Sequence, residues 1–353
     1  MRHRYRIREI AAQAGLSAAT VDRVLHERGG VRESTVLEVR RAIDDLDRQR
    51  SQLAVGGRTF LIDLVVQAPA RFCTAVRTAL EAALPDLRPA VVRARFHLLP
   101  SPAVPDLLRL LDRLPGSHGV ILKAPNVPGV IAAVNRLDRQ GIPVVTLVTD
   151  LPASRRVAYV GVDNRAAGAT AAYLIAQWLA SSGDPASGSS PGGARGDVLV
   201  VRGRGSYLGE DERDAGFRAE LRPCGRSVIE VVDEEEQPSA VYTATRAALA
   251  AYPGIVAVYS MYAGAGGTSA VVNAFRDEER HYAVFIAHDL DADNTPLLRQ
   301  RRISAVLHHD LRHDLRTACR SLLRARKELP GSPWATPSAI QVITPHNAPP
   351  VRF

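Results

Sequence analysis

Lysine is nearly missing from this chain. Of its 45 lysines and arginines only Lys123 and Lys327 are lysines, so almost every positive charge is a planar guanidinium, the group that pairs bidentately with phosphates and carboxylates. GC-rich coding produces the same bias, so the placement of the charge says more than its total. Residues 1–58 hold 12 arginines against 8 acidic residues, a net of +4 out of the formal +8 of the 353-residue chain. That concentration fits attraction to a polyanion. Cysteine is equally scarce. Cys73, Cys224 and Cys319 are odd in number, far apart and without C-x-x-C spacing, which excludes a disulfide framework and leaves free thiols of a reducing compartment. No stretch approaches about 18 apolar residues, and the basic start MRHRYRIREI lacks the apolar centre of a secretory signal. The expected location is therefore the cytoplasm, with no membrane contact.

What is present is a soluble, globular composition, 46% hydrophobic and 23% charged, long enough for two or three folding units. In the first sixty residues Ile7, Ile10, Ala11 and Ala14 recur at helical spacing. Gly15 suits the left-handed end of that helix, and Ser17 is a good N-cap for a second one with Val21, Val24 and Leu25 inside. Val36, Val39, Ile43 and Leu46 give a third. Three helices with a three-residue break after the first describe a helix-turn-helix unit. Any small three-helix bundle shares that pattern; the outer face of the second helix decides. Ala18, Ala19, Asp22, Arg23 and His26 project from it. The small residues permit close approach to a duplex, while Ser17 and Thr20 can donate to phosphates.

From Phe60 onward apolar strands alternate with helices. "FLIDLVV", "HGVILKAP", "GIPVVTLV", "GDVLVVRG", "IVAVYSMY", "YAVFIAHD" and "RISAVLHHD" are continuous, β-branched runs, each followed by helix-like sequence. Such runs predict parallel strands covered on both faces. About ten strands exceed one compact sheet and predict two Rossmann-like lobes. The expected organisation is residues 1–48 as an all-α DNA-binding headpiece, 49–58 as a degenerate hinge or linker, and 59–345 as an α/β effector domain. The Gly/Ser/Pro-rich stretch 181–197 reads as a flexible insertion. His308, His309, Asp310 and His313 do not spell a metal site, since consecutive strand residues face opposite ways. "RGRGSYLG" lacks the Lys-Ser/Thr of a phosphate loop.

"IREIAAQAGLSAATVDRVL" resembles, position for position, the DNA-binding headpiece of the LacI/GalR family of bacterial transcription regulators. The matching residues are Ala11, Ala14, Gly15, Leu16, Ser17, Thr20, Val21, Asp22, Arg23, Val24 and Leu25. The resemblance implies that Ala18, Ala19 and Arg23 read bases while Ser17, Thr20 and His26 lie near phosphates. Arginine on guanine is worth about 1–3 kcal/mol of discrimination. Asp22 stands where the family usually has serine, and a carboxylate there needs a cytosine amine or an arginine. The hinge departs from the family. "DRQRSQLAVGGRTFLID" lacks the Tyr-Pro pair and is short, leaving Leu53 either as the minor-groove wedge or packed inside a dimer.

The remainder is similar to the type I periplasmic-binding-protein fold, in its sugar-binding form, over "GIPVVTL", "YVGVDNRAAGATAAYL", "GSYLGEDERDAGFRAEL", "FIAHDLDADN" and "ISAVLHHD". The resemblance implies an inter-lobe ligand cleft, with the N-lobe taking about 59–164 and 310–338 and the C-lobe about 165–309 and 339–345. Asp289 and Arg213 match its hydroxyl- and effector-binding positions, and His309 stands where a glutamine is common. Arg71 and Phe72 match the stacking positions, Thr149 and Asp150 end a strand beside the pocket, and Met261 or Tyr262 takes another pocket position. Alternatives stay open: Arg213 and Asp289 as a plain inter-lobe salt bridge, His309 held by His308 or Asp310, Asp163 as a helix cap. Met261 in place of asparagine and Arg71 beside the aromatic point to an acidic or phosphorylated sugar, or a polyol.

The implied function is a sequence-specific transcription regulator, a repressor, binding a pseudo-palindromic operator as a homodimer under control of a small sugar-like effector. No leucine heptads follow "APPVRF", which favours a dimer over a tetramer. The rivals are a regulator whose pocket takes a non-sugar ligand, a protein or nothing, and an enzyme using the α/β region. No nucleophile–base constellation supports the latter, so neither catalysis nor a cofactor is expected.

Overall fold

The computed structural model describes residues 5–349 apart from 27, 56–57, 89, 101–102, 182–195, 204–206 and 235–236. The headpiece begins with α1 (Ile7–Ala14), whose first turn is closed by the Arg6 amide donating to Glu9 Oε2 at 2.7 Å. Gly15 ends it at φ 65°, a left-handed geometry glycine adopts without cost. Ser17 then caps α2 (Ala18–Leu25), its Oγ accepting from the Thr20 amide at 3.1 Å. A third helix, α3 (Glu33–Val55), lies across both. Tyr5, Ile10, Ala11, Val21, Val39 and Ala42 form the buried centre. The expected hinge segment starts as helix rather than linker: the backbone of α3 runs on to Val55, since no glycine or proline interrupts the sequence before Gly56. Leu53 lies on that last stretch, with a side chain outside the described residues.

The N-lobe follows as β1 (Thr59–Gln67), α4 (Ala70–Ala83), β2 (Val91–Leu99), α5 (Val104–Leu111), β3 (Gly119–Lys123), α6 (Pro128–Arg139), β4 (Val144–Leu147) and β5 (Ala158–Val160). Its sheet has the order β2-β1-β3-β4-β5, parallel throughout. The C-lobe contains α7 (Asn164–Ser181), β6 (Asp197–Gly203), α8 (Leu208–Leu221), β7 (Val228–Asp233), α9 (Pro238–Ala251), β8 (Ile255–Ser260), α10 (Gly267–Asp277), β9 (Val284–His288), α11 (Asn294–Arg299) and β10 (Ala305–His308). The chain then returns to the N-lobe as α12 (Leu311–Ala325). It crosses back to lay β11 (Gln341–Ile343) antiparallel on β10, giving the order β11-β10-β9-β8-β6-β7. Helices cover both faces of each sheet, as continuous β-branched strands require. Separate apolar clusters fill the two sides of each lobe, with Val65, Leu111 and Val134 on one side of the N-lobe sheet and Leu64, Leu80 and Leu322 on the other.

The lobes are joined by three adjacent crossings. The first and third touch directly: the Ser338 amide donates to Gly161 O at 2.8 Å, and Val162 bridges Ser338 in parallel. Strand order reverses beside β1 in one sheet and beside β6 in the other. The carboxyl ends of those strands face each other across the cleft, the place where such sheets hold ligands. Ser181 closes α7 and Asp197 opens β6, and the rest of the expected insertion (182–195) lies outside the described residues.

Candidate functional site

On the headpiece, burial of Val21 against the other helices turns the opposite side of α2 outward. Ser17, Ala18, Ala19, Arg23 and His26 are exposed there and Thr20 is half-buried. Ser17 Oγ and Thr20 Oγ1 share a hydrogen bond of 2.8 Å at the helix start, where backbone N–H groups favour an anion. Asp22 finds the arginine its position demands: Arg28 Nη1 donates to Oδ2 at 3.0 Å, and His26 Nδ1 lies 3.1 Å from Oδ1. Arg23 carries no ion pair among the described residues.

In the cleft, the placement of Arg213 depends on two glycines. A Cβ on Gly168 would lie 1.8 Å from Arg213 O, and one on Gly216 would lie 2.0 Å from Arg165 O, so α7 and α8 cross with backbones nearly touching. Arg213 is thereby buried at 9% exposure, donating through Nη1 to Met261 O (3.1 Å) and through Nη2 to Asn164 Oδ1 (2.8 Å). Its Nε has no hydrogen-bond partner, and no carboxylate pairs with it among the described residues. The alternative Arg213–Asp289 salt bridge is thus not formed.

Asp289 follows β9 at φ 63°, with its amide donating to Leu307 O at 2.9 Å. Its carboxylate is half exposed and lies 3.8 Å from His309 Nε2. His309 is buried, and Nδ1 donates to Asp314 Oδ2 at 2.6 Å. Burial alone would depress its pKa, but the Asp314 hydrogen bond and the Asp289 charge outweigh it and raise it above the ordinary value. The other Asp314 oxygen accepts from Ser338 Oγ, so the His309–Asp314 pair ties the second lobe crossing to the third. Neighbouring His308 and His288 are instead pushed down by burial.

Arg71, at the start of α4, reaches across the cleft. It pairs with Asp291, donates through Nη2 to Ala263 O at 2.9 Å, and lies 5.8 Å over the Tyr262 ring. Phe72 lies behind it, 5.3 Å from Lys123 Nζ. Thr149 is buried, and its Oγ1 accepts from the Gly209 amide of α8 at 3.1 Å. Asp150 lies beside the cleft but is engaged inside the N-lobe: its oxygens accept from Arg156, from Thr146 Oγ1 (2.7 Å) and from the Leu151 amide (2.7 Å). Met261 presents only its carbonyl, the side chain packing in the C-lobe core beside Phe217 and Tyr259. Asp163 caps α7 by accepting from the Ala166 amide at 2.9 Å.

The structure adds residues that sequence reasoning missed. Lys123, at the cleft end of β3 and only 8% exposed, holds its ammonium 3.5 Å from the Tyr207 ring centroid. Tyr207 in turn donates to Gln67 O at 2.7 Å, bridging the lobes. Glu210, one turn into α8, is driven toward its neutral form by burial, partly offset by Lys123 and Arg213. Lys123 had a signal, being one of two lysines and closing an apolar strand; Tyr207 and Asp291 had none. Among the described residues no group of three His, Cys, Asp or Glu could hold a metal ion. Cys319 is sealed in the core with its thiol pushed up to about 12 by burial. No helix among the described residues is long and apolar enough to cross a membrane.

The family model described as bacterial regulatory proteins, lacI family, matches residues 6–50, and the model described as periplasmic binding protein domain matches residues 113–328. Among solved structures, GanP, a glucose-galactose binding protein from Geobacillus stearothermophilus, is 20% identical, with 83% of this chain and 99% of that chain covered and a TM-score of 0.69. An ABC transporter solute binding protein from Burkholderia graminis in complex with D-arabinose is 19% identical, with 83% and 97% covered and a TM-score of 0.67. One from Agrobacterium vitis bound with alpha-D-tagatopyranose is 15% identical, with 82% and 95% covered and a TM-score of 0.66. These likenesses establish the fold. No curated protein matches the chain. An exposed second helix followed by a pair of parallel-sheet lobes, together with the two family matches, shows that this chain belongs to the periplasmic binding protein domain family and carries a lacI-family DNA-binding domain at residues 6–50, the make-up of a DNA-binding regulator.

Proposed function

We propose that the protein is a transcriptional repressor that binds its operator as a homodimer and is controlled by a small sugar-like effector held between the lobes. The observation that carries this reading is the cleft itself. Arg213, buried with one nitrogen unpartnered, and Asp289, half exposed at a left-handed strand end, stand at the carboxyl ends of the C-lobe strands. Arg71, Phe72 and Thr149 supply the opposite wall. A guanidinium and a carboxylate are the groups that grip adjacent hydroxyls in pairs. His309 supports Asp289 from behind, while Met261 contributes its carbonyl. Asp150 acts by holding Arg156 rather than by touching the ligand.

The concentration of Arg71, Lys123 and Arg213 around the cleft favours an effector that carries a carboxylate or phosphate on its sugar or polyol frame. On the DNA side Arg23 reads guanine, Ala18 and Ala19 allow close approach, and Ser17, Thr20 and His26 meet phosphates. The role is regulatory, with no catalytic step: the groups in the cleft are arranged to bind and to bridge. The test is thermal denaturation against neutral sugars, polyols, sugar acids and sugar phosphates. A true effector raises the melting point of the wild type and leaves Arg213→Ala unmoved; no shift from any member of the four classes contradicts a sugar-like effector. Equal calorimetric heats for neutral and anionic sugars would remove the preference for anions.

A further inference from the structure

The outer face of α12 is a ladder of guanidinium groups. Arg312, Arg316, Arg320 and Arg324 recur every four residues, about 6 Å apart along the helix axis. The one acidic residue they reach among the described residues is Asp86: Arg312 Nη2 lies 2.9 Å and Arg316 Nη1 3.7 Å from its Oδ2, while Arg320 Nη2 donates to its backbone oxygen at 3.4 Å. The Nε atoms of Arg316 and Arg324 have no hydrogen-bond partner. Burial, and then the like charges of Arg316 and Arg324, lower the pKa of Arg320, with Asp86 offsetting part of the effect. No large apolar side chain is exposed on α12, so the face lacks the apolar centre of a protein–protein interface.

The lower end of the ladder lies where the DNA-binding headpiece is attached. Leu323 packs with Phe60 at the start of β1, Arg326 Nη1 donates to His118 O at 3.4 Å, and Glu328 pairs at 2.8 Å with Arg58, just before β1. Lys327 adds a further exposed charge at the same place.

We propose that the arginine ladder of α12, from Arg324 up to Arg312, is a second and sequence-independent DNA surface that contacts backbone phosphates of the duplex beyond the bases read by α2. The proposal rests on the DNA-binding role of the chain and adds a surface to it. Evenly spaced guanidinium groups without an apolar centre suit a phosphate backbone, which is a row of like charges, better than the mixed surface of a protein. An acidic protein partner is the competing occupant. Asp86, set among the arginines, weakens the surface by partly neutralising it.

Neutralised phosphates release counterions, so each lost contact flattens the dependence of log affinity on log salt by about 0.9. The experiment follows the full-length protein binding a random-sequence duplex of about four helical turns, by fluorescence anisotropy over a salt series. The double substitution Arg320→Gln/Arg324→Gln lowers the slope by up to about 2 for each chain in contact, and Arg320→Lys/Arg324→Lys restores it. Asp86→Asn, which keeps every arginine, tightens binding; this opposite sign settles the matter if the double glutamine variant does not fold. Arg23→Ala loses base reading yet keeps the ladder's share of the slope, so failure of the headpiece model and failure of this one are told apart. A wild-type slope in the folded glutamine variant, or unchanged affinity in Asp86→Asn, overturns the proposal and leaves the ladder to an acidic protein.

Discussion

At the scale of single residues, charge placement separates recognition from support. Arg23 stands on the outer face of α2 with no ion pair of its own among the described residues, whereas Asp22 is already committed to Arg28 and His26. On the proposed docking of α2, alanine at positions 18 and 19 leaves Arg23 to supply most of the direct base readout. Replacing it with alanine is expected to abolish operator discrimination in a gel-shift titration and to leave ligand-induced stabilisation intact. Two buried acid–base clusters, one in the N-lobe and one at the lobe crossings, carry pH predictions. Asp63 lies in β1 under a fork from Arg95 (2.7 Å to each oxygen) and a 2.7 Å bond from His97. Burial alone would raise its pKa, but these bonds outweigh it and lower it to about 2 from 3.8. A depressed acid stabilises the fold above its unfolded pKa and loses that contribution as pH falls through the folded one. About 2 kcal/mol should therefore vanish between roughly pH 4 and pH 2, an acid limb that Asp63→Asn flattens in denaturation curves. His309 has the opposite sign. Its raised pKa means that its contribution is complete below the ordinary imidazole value and fades as pH climbs through the folded value. His309→Gln should erase that alkaline decline.

At the scale of elements, the strands covered on both faces are the ones visible in sequence. β1, β3, β4, β6, β8, β9 and β10 appear as largely apolar runs because neighbours on both sides exclude water, with Asp63 a buried exception in β1. The edges do not. β2 carries Arg93, Arg95 and His97 along a half-exposed surface, and β7 alternates exposed and buried positions at the other sheet's margin. β5 and β11 are three residues each, too short for a periodic signal. The hinge shows the converse: residues 49–58 were expected as a degenerate hinge or linker because they depart from the family, while the local sequence, free of glycine and proline to residue 55, carries helix onward. The crossing of α7 and α8 was also hidden, because the meaning of Gly168 and Gly216 appears only when the two backbones meet. Gly168→Ala forces a methyl against Arg213 O and is expected to cost about 1–3 kcal/mol. It should weaken ligand binding too, since it displaces Arg213. Thermal denaturation with and without ligand measures both.

At the scale of the whole molecule, the helix-turn-helix unit and the two-lobe body were legible from local motifs, while Arg213 and Asp289 became candidates only through the family resemblance. The cleft's closure was not, since it depends on pairs distant in sequence. Tyr207 and Gln67 are separated by 140 positions and Arg71 and Asp291 by 220, and no periodicity links them. These pairs join the lobes at their rims, while His309, Asp314 and Ser338 join the crossings behind. On the proposed reading, a ligand that enters between Arg213 and Asp289 reorganises one set relative to the other, and α3 leads from the N-lobe to the headpiece. Effector and operator therefore bias one shared conformational equilibrium, and each must alter the affinity of the other by the same factor. The most direct test uses the operator found by genomic footprinting and the sugar-class compound that raises the melting point. Operator affinity is measured with and without that compound at saturation. The expected result is a change of about fivefold or more, absent in Arg213→Ala. An operator affinity that saturating ligand leaves untouched in the wild type would contradict the coupling of cleft to headpiece.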